Sequence, residues 1–228
     1  MPPWPPTYDL GLSTVVMPNP NPTYMLAELK GWGIVQIDWS NFKDVWSRAS
    51  PMNCTQMLDE QAAILAKAYP QQKVWLYRNA IIAEAWFEPV RAKLADPAYK
   101  RWFMPYGKHV ANPHSPKCNK EGNTTKCSEL WHDEIGLGSC TAHPYTCGSV
   151  GDFPAAEYVF DPRSMNVSVN GKTMIEWYIE DYVLMNGGQG NPNVHGYFFD
   201  DHWDNFTAAD DRSVGPSEVD PAAVSDMG

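Results

Sequence analysis

Four short apolar segments, each followed at once by polar residues, constrain the fold of this chain more than any other feature. They are GWGIVQIDWSN at 31–41, KVWLYRN at 73–79, AEYVFDPR at 156–163 and VHGYFFDD at 194–201. Helical or irregular segments separate them along the chain. Short apolar strands that alternate with helices are typical of a parallel sheet with right-handed crossovers. We therefore predict an α/β fold built from parallel β/α units.

Two helices are predicted between these strands. Segment 53–70 carries Leu58, Ala62 and Leu65 at helical spacing, with Asn53 or Thr55 as N-cap and Pro70 closing the helix. Segment 173–185 places five large apolar side chains on one helical face. These are Met174, Trp177, Tyr178, Tyr182 and Met185. Segment 83–103 is predicted to be helical in pieces that Pro89 and Pro97 separate.

The strand ends favour a barrel of the TIM type over a doubly wound sheet. A doubly wound sheet normally has a glycine-rich phosphate turn after its first strand, and IDWSN at 37–41 contains no glycine. An eight-unit barrel takes about 250 residues, however, and only four units are visible in 228 residues. The last segment also begins a helix at Asp220 and Pro221 shortly before it stops. We therefore expect one domain over 1–228 that is an incomplete, N-terminal half of a barrel.

Two further segments are predicted within or before this domain. Residues 1–24 form a proline-rich lead-in, since seven prolines in the first 22 residues oppose a helix or a central strand. Residues 104–153 form a cysteine-rich insertion that is too long for a plain connection. Two local disulfides are expected among its cysteines, which are Cys118, Cys127, Cys140 and Cys147. The spacings of these four cysteines do not favour a zinc site. Cys54 is either a buried thiol or paired with a cysteine outside these 228 residues.

The net charge and several short motifs indicate which partners are excluded and in which cellular compartment the protein is expected. A formal charge of -10 argues against nucleic acid, and no apolar run reaches the roughly 18 residues of a membrane span. Acceptor triplets for N-glycosylation begin at Asn53, Asn123, Asn166 and Asn205. Together with the clustered cysteines they predict a secreted or cell-surface protein. No signal peptide is present at the start of the sequence.

The polar residues that follow the strands are the candidate site. In parallel α/β folds, the carboxyl ends of the strands are where sites are assembled. The residues are Asp38 and Trp39, Arg78 and Asn79, Asp161 and Arg163, and Asp200, Asp201, His202 and Trp203. Because side chains alternate along a strand, Asp200 and Asp201 do not both point into the mouth in the same way. Gln36 and Asp38 are two positions apart on the strand, so their side chains project to the same face. This favours a position of the Asp38 side chain inside the barrel.

HGYFFDD at 195–201 resembles the strand that ends at the catalytic mouth of glycoside-hydrolase-like barrels. The order of WGIVQIDWSN, VWLYRN, CSELWHDE, EYVFDPR and GPSEVDP is similar to a eukaryotic family of secreted glycosidase-like proteins. The resemblance implies a polysaccharide or glycoconjugate substrate, no cofactor, and hydrolysis by two carboxyl groups. The catalytic candidates are Asp38, Asp161, Asp200 and Asp201. The substrate-binding candidates are Trp39, Arg78, Asn79, Arg163, His202, Trp203 and Glu134.

Structural roles remain open for the same residues. Asp200 and Asp201 are also compatible with capping the next segment or binding Arg163, and Asp38 with an ion pair to Arg78. Asp161 precedes a proline and fits a turn, whereas Glu134 lies in a loop that is either solvated or folded over the mouth. His202 with Asp200 and Asp201 is a weaker candidate metal site. The alternative function is a non-catalytic carbohydrate-binding or structural surface glycoprotein.

Overall fold

The computed structural model describes residues 9–17, 26–49, 51–104, 130, 132–133, 157–185 and 190–201. A parallel sheet is the central element of these parts. The strands, numbered along the chain, are β1 Thr14–Met17, β2 Ile34–Ile37, β3 Lys73–Asn79, β4 Ile82–Glu84, β5 His132–Asp133, β6 Glu157–Val159, β7 Ser168–Val169, β8 Lys172–Thr173 and β9 Gly196–Asp200. The parallel sheet has the order β1-β2-β3-β9. The predicted α/β class with a parallel sheet is therefore confirmed.

The register of the parallel sheet brings three predicted strand ends together. Ile37 pairs with Leu76 across β2 and β3, and Asn79 pairs with Asp200 across β3 and β9. Strand β1 was not predicted, because it lies in the proline-rich lead-in. Residues 14–17 contain no proline, and β1 is an edge strand of the described sheet, where fewer ladder hydrogen bonds are required.

The predicted strand at 156–163 does not join the parallel sheet. Strand β6 pairs antiparallel with β4 and with β5 in a separate three-stranded sheet. The two sheets are connected where β3 ends, because the Phe160 N–H donates to the Ile81 carbonyl over 2.9 Å. An apolar strand pattern does not encode strand direction, so the pattern of 156–163 does not distinguish β6 from the parallel strands. This placement changes the surroundings of Asp161.

The helices pack on the sheet largely as their periodicity predicts. The α-helices are α1 Lys43–Trp46, α2 Cys54–Ala68, α3 Glu88–Ala95 and α4 Met174–Trp177, and a π-helix at Tyr178–Val183 continues α4. Short 3-10 helices lie at Leu10–Leu12, Leu26–Leu29, Pro97–Trp102 and Pro162–Ser164. Helix α2 buries Leu58, Ala62 and Leu65 completely. The predicted face of 173–185 is also buried, with Tyr178 packed against the core from its edge.

The start of α2 is capped by another helix. Asn53 occupies the N-cap position but makes no capping hydrogen bond with its side chain. Instead, the Glu88 carboxylate accepts from the N–H of Thr55 at 2.8 Å and of Gln56 at 3.3 Å. The Thr55 hydroxyl in turn accepts from the Glu88 N–H at 3.3 Å. A negative charge at a helix N-terminus is favourable, so this contact fixes α3 against α2.

Two predictions concern the cysteines and the membrane. Cys54 is a buried free thiol, which agrees with the first of its two predicted roles. The four cysteines of the predicted disulfides lie outside the described residues. Among the helices that the structure describes, none is long and apolar enough to cross a membrane.

Candidate active site

The carboxyl ends of β2, β3 and β9 form one edge of the parallel sheet, which we call the rim. Residues that pair in register project to the same face of a sheet, so Asn79 and Asp200 share a face. Asp38 follows β2 one position beyond the pair of Ile37 and Leu76, and therefore lies level with Tyr77. The predicted meeting of strand-end residues holds for β2, β3 and β9.

Asp200 and Asp201 both reach the rim, by different routes. Asp200 ends β9 in register with Asn79. Asp201 has a left-handed backbone with φ of 52°, which is uncommon outside glycine and turns the chain sharply. Its Oδ2 accepts a hydrogen bond from Asn79 Nδ2 at 2.5 Å, and its N–H donates to Asp200 Oδ1 at 2.9 Å. The backbone turn thus overcomes the alternation that would otherwise separate the two carboxylates.

Asn79 connects Asp201 to the interior of the rim. Its Nδ2 donates to the Tyr77 hydroxyl at 2.9 Å as well as to Asp201. Burial and the nearby Glu84 charge raise the pKa of the Tyr77 hydroxyl. A hydrogen-bonded path therefore runs from Asp201 through Asn79 to Tyr77, whose hydroxyl lies near Glu84.

Glu84 is a buried carboxyl on β4, the strand that follows β3 next to the rim. Its side chain is 2% exposed, and its Oε2 has no hydrogen-bond partner among the described residues. Burial raises the pKa of this carboxyl well above its usual range, and the nearby charges of Glu157, Asp201 and Asp38 raise it further. The raised pKa favours the protonated form of the carboxyl, which is the form that a general acid requires.

Glu157 lies opposite Glu84 on the neighbouring strand. The two residues are a directly paired position of β4 and β6, and Glu157 also pairs with Asp133 of β5. Directly opposed like charges destabilise a sheet, and Glu157 is only half-buried. One member of the pair is therefore better protonated than both ionised. The deeper burial of Glu84 assigns the proton to Glu84.

Neither glutamate is among the residues that the sequence pattern predicts for the site. Glu84 was placed in a segment interpreted as helical, whereas residues 82–84 form β4 immediately after the turn that follows β3. Glu157 was placed in a strand of the parallel sheet, away from any strand end. An acidic residue within a short apolar stretch, such as IIAEAWF at 81–87, was the available signal.

Asp38 and Trp39 lie at the rim with local structural contacts. The Asp38 Oδ1 accepts from the N–H of Ser40 at 2.9 Å and from its hydroxyl at 2.6 Å, which forms a turn. Trp39 is half-buried and packs on Trp86 with ring centroids 4.8 Å apart. The Lys43 ammonium lies 4.8 Å above the Trp39 ring. Trp39 thus lies at the end of β2 beside Asp38, and its binding role stays a prediction.

Arg78 lies on the other face of β3, away from the rim. Its guanidinium is buried and donates to the carbonyls of Tyr182 at 2.9 Å and Tyr77 at 2.8 Å. It also packs against the rings of Phe87 and Tyr182, at 5.2 and 5.4 Å. Within the described ranges no carboxylate pairs with it, so the predicted ion pair with Asp38 is wrong. Arg78 anchors the π-helix to the sheet and is not placed to contact a ligand at the rim.

Asp161 lies after β6 of the three-stranded sheet, away from the rim. Its carboxylate binds the Arg163 guanidinium through two contacts, at 2.9 and 2.7 Å, and accepts from the Arg163 N–H at 3.0 Å. This arrangement caps the 3-10 helix at Pro162–Ser164. The pair lines a cavity of about 360 Å³ together with Lys100 and Arg101. The turn role of Asp161 is therefore what the structure shows, in place of a position at the rim.

The remaining predicted residues are placed as follows. His202, Trp203 and Glu134 lie outside the described residues, as do the glycosylation candidates Asn123 and Asn205. Of the other two acceptors, Asn166 is exposed in a turn, whereas Asn53 is half-buried with an Oδ1 that is buried and without a partner among the described residues. The described residues contain no group of three or more side chains that could hold a metal ion.

The chain matches no family model, no curated protein and no solved structure.

Proposed function

We propose that this protein is a glycoside hydrolase that acts on a polysaccharide or glycoconjugate, with Glu84 as the general acid. The observation that carries the proposal is the buried Glu84 carboxyl, whose Oε2 has no partner among the described residues while three other carboxylates surround it. Glycoside hydrolysis requires one carboxyl that is protonated and another that is ionised. The rim supplies groups in both states.

Asp201 is the ionised member of the pair in this proposal. It accepts a short hydrogen bond from Asn79, and hydrogen bonds from a neutral donor favour the charged form of a carboxylate. It also lies at the open end of the sheet, directly after β9, and not within the core. In the reaction it acts as the base or nucleophile while Glu84 protonates the leaving oxygen.

Trp39 supplies the binding surface for the sugar. The apolar face of a sugar ring stacks on an indole, and Trp39 is half-buried at the end of β2, next to Asp38. Its packing on Trp86 fixes the ring orientation. Stacking on Trp39 would hold a sugar ring over the rim where the carboxylates lie.

The four parallel strands are, in this proposal, part of a TIM-type barrel whose mouth is the rim. Support comes from the strand order and from the position of polar residues at the carboxyl ends of the strands. A secreted or cell-surface location fits the exposed acceptor Asn166. Two disulfides in segment 104–153 remain part of the proposal.

A non-catalytic carbohydrate-binding protein is the second candidate. The observation that favours it is that Asp38 is engaged by Ser40 and Asp161 by Arg163, so two of the predicted catalytic carboxylates serve the local structure. Such a protein would bind glycans through Trp39 without cleaving them.

Release of reducing ends from a glycan panel tests the proposal. We expect hydrolysis by the wild-type protein and a loss of about hundredfold or more in Glu84→Gln and Asp201→Asn. Asp161→Asn is the matched control, because it removes a carboxylate away from the rim, and it should retain turnover. Equal hydrolysis by Glu84→Gln would refute the assignment. Glycan binding without cleavage by the wild-type protein would support the second candidate.

A further inference from the structure

The cavity of about 360 Å³ beside Asp161 is lined by an excess of positive charge. Three cations, one carboxylate and two apolar side chains are among its described lining, namely Lys100, Arg101, Arg163, Asp161, Phe103 and Leu130. Two positive charges therefore remain after the carboxylate is matched, although the chain as a whole has a net charge of -10. A local excess of cations in an acidic protein attracts an anion to this cavity.

The Arg163 guanidinium is held in one orientation at this cavity. Its Nε donates to Asp161 Oδ1 at 2.9 Å and its Nη2 to Asp161 Oδ2 at 2.7 Å, which uses two of its five N–H donors. The Arg163 side chain is 28% exposed and that of Asp161 is 7% exposed, so the guanidinium lies nearer to solvent than the carboxylate that orients it. A guanidinium that is oriented in advance loses little conformational freedom when it binds an anion.

The backbone that carries Lys100 and Arg101 is joined to the turn that carries Arg163. The Asp161 N–H donates to the Trp102 carbonyl at 2.9 Å, and the buried Ser164 hydroxyl donates to the Arg101 carbonyl. These contacts bring cations from two 3-10 helices, Pro97–Trp102 and Pro162–Ser164, to the same cavity. Lys100 and Arg101 are exposed, so their charges are accessible to a ligand from solvent.

Apolar side chains line the cavity beside these charges. Phe103 is 1% exposed and Leu130 is 6% exposed, and the Phe103 ring stacks on Phe160 with ring centroids 5.9 Å apart. Cavities of roughly 300 Å³ or more that combine apolar side chains with a few polar groups are typical of sites for small organic molecules. The lining therefore favours an anion that carries an organic body over a bare inorganic ion.

We propose that this cavity binds an oxyanion group, such as a carboxylate, sulfate or phosphate, on a small organic ligand of about the size of a sugar acid. The Arg163 guanidinium and the charges of Lys100 and Arg101 bind the oxyanion, because guanidinium and ammonium groups form strong charge-assisted hydrogen bonds with such groups. Phe103 and Leu130 pack against the organic body. The site goes beyond the proposed hydrolase, since it lies away from the rim and uses neither Glu84 nor Asp201.

Calorimetric titration of the whole protein with glucuronate at low ionic strength tests this site. Glucose has the ring without the carboxylate, and inorganic sulfate has the charge without the ring, so both are titrated in parallel. We expect glucuronate to bind at least about tenfold more tightly than either, since the proposed site recognises both parts of the ligand.

Arg101→Gln removes one cation of the cavity and should weaken glucuronate binding by about tenfold. Lys67→Gln is the matched control, because it removes an exposed cation of α2 that is not among the described residues lining the cavity, and it should bind as the wild-type protein does. Lys100→Gln provides the same test as Arg101→Gln if that variant does not fold.

Each result supports or overturns the site. No binding of glucuronate by the wild-type protein, or equal binding by a folded Arg101→Gln variant, would refute it. Glucose that binds as tightly as glucuronate would refute the role of the cations, and sulfate that binds as tightly would refute the organic ligand. Glu84→Gln should bind glucuronate as the wild-type protein does, so the site stands or falls separately from the hydrolase.

Discussion

The buried charged groups Arg78 and Glu84 differ in how completely they are hydrogen-bonded. On the helix-facing side, the Arg78 guanidinium is hydrogen-bonded to two carbonyls and to the Met185 sulfur, and rings pack around it. On the rim side, Tyr77 and Asn79 are hydrogen-bonded to each other, whereas the Oε2 of the buried Glu84 is without a partner among the described residues. A buried group with all its partners serves the architecture, whereas a buried carboxyl left with an open oxygen indicates a site.

Loss of the Arg78 guanidinium should have the largest effect on stability. Arg78→Met keeps most of the apolar stem but leaves the carbonyls of Tyr77 and Tyr182 buried without these donors. We expect the free energy of unfolding to fall by about 3 kcal/mol, measured by urea denaturation at pH 7. A loss below about 1 kcal/mol would contradict the structural role assigned to Arg78.

Weakening the contact between Asp161 and Arg163 should have an intermediate effect on stability and should leave the titration of Glu84 at the rim unchanged. Asp161→Asn weakens the paired contacts with Arg163 and should lower the free energy of unfolding by about 1 to 2 kcal/mol. The infrared band of the protonated Glu84 carboxyl, identified by its absence in Glu84→Gln, should titrate as in the wild-type protein. A shifted band would show that Asp161 belongs to the rim, and the separation of the two regions would be wrong.

Removal of the charge opposite Glu84 should have the smallest effect on stability. Because Glu84 carries the proton of the pair, Glu157→Gln removes a charge opposite a neutral group, and we expect the free energy of unfolding at pH 7 to change by less than about 0.5 kcal/mol. Because Glu157 raises the pKa of Glu84, the band of protonated Glu84 should titrate at a lower pH in this variant. An unchanged titration would mean that the two carboxyls do not interact.

The sequence predicted the parallel sheet and part of the rim. Strand ends at Asp38, Asn79 and Asp200 were found because apolar runs that stop at polar residues report both the strand and its end. The direction of the Asp201 side chain could not be predicted, because it depends on a left-handed backbone conformation at this one residue. Glu84 and Glu157 were missed because their proximity comes from antiparallel pairing between segments more than 70 positions apart.

The position of Asp161 shows a second limit of pattern reading. EYVFDPR has the same pattern as the true parallel strands, an apolar run followed by Asp, and nothing in it indicates an antiparallel partner. Only the pairing with β4 and β5 reveals that this strand end turns away from the rim.

The pH dependence of folding in the wild-type protein and in Glu84→Gln tests the central assignment most directly. A carboxyl whose pKa is raised in the folded state stabilises the protein at low pH, and that contribution is lost as pH rises from the ordinary glutamate value of 4.5 toward the folded value. We predict that the wild-type protein loses stability relative to Glu84→Gln as the pH rises above the ordinary glutamate value. Parallel stability curves for the two proteins would contradict a buried, protonated Glu84.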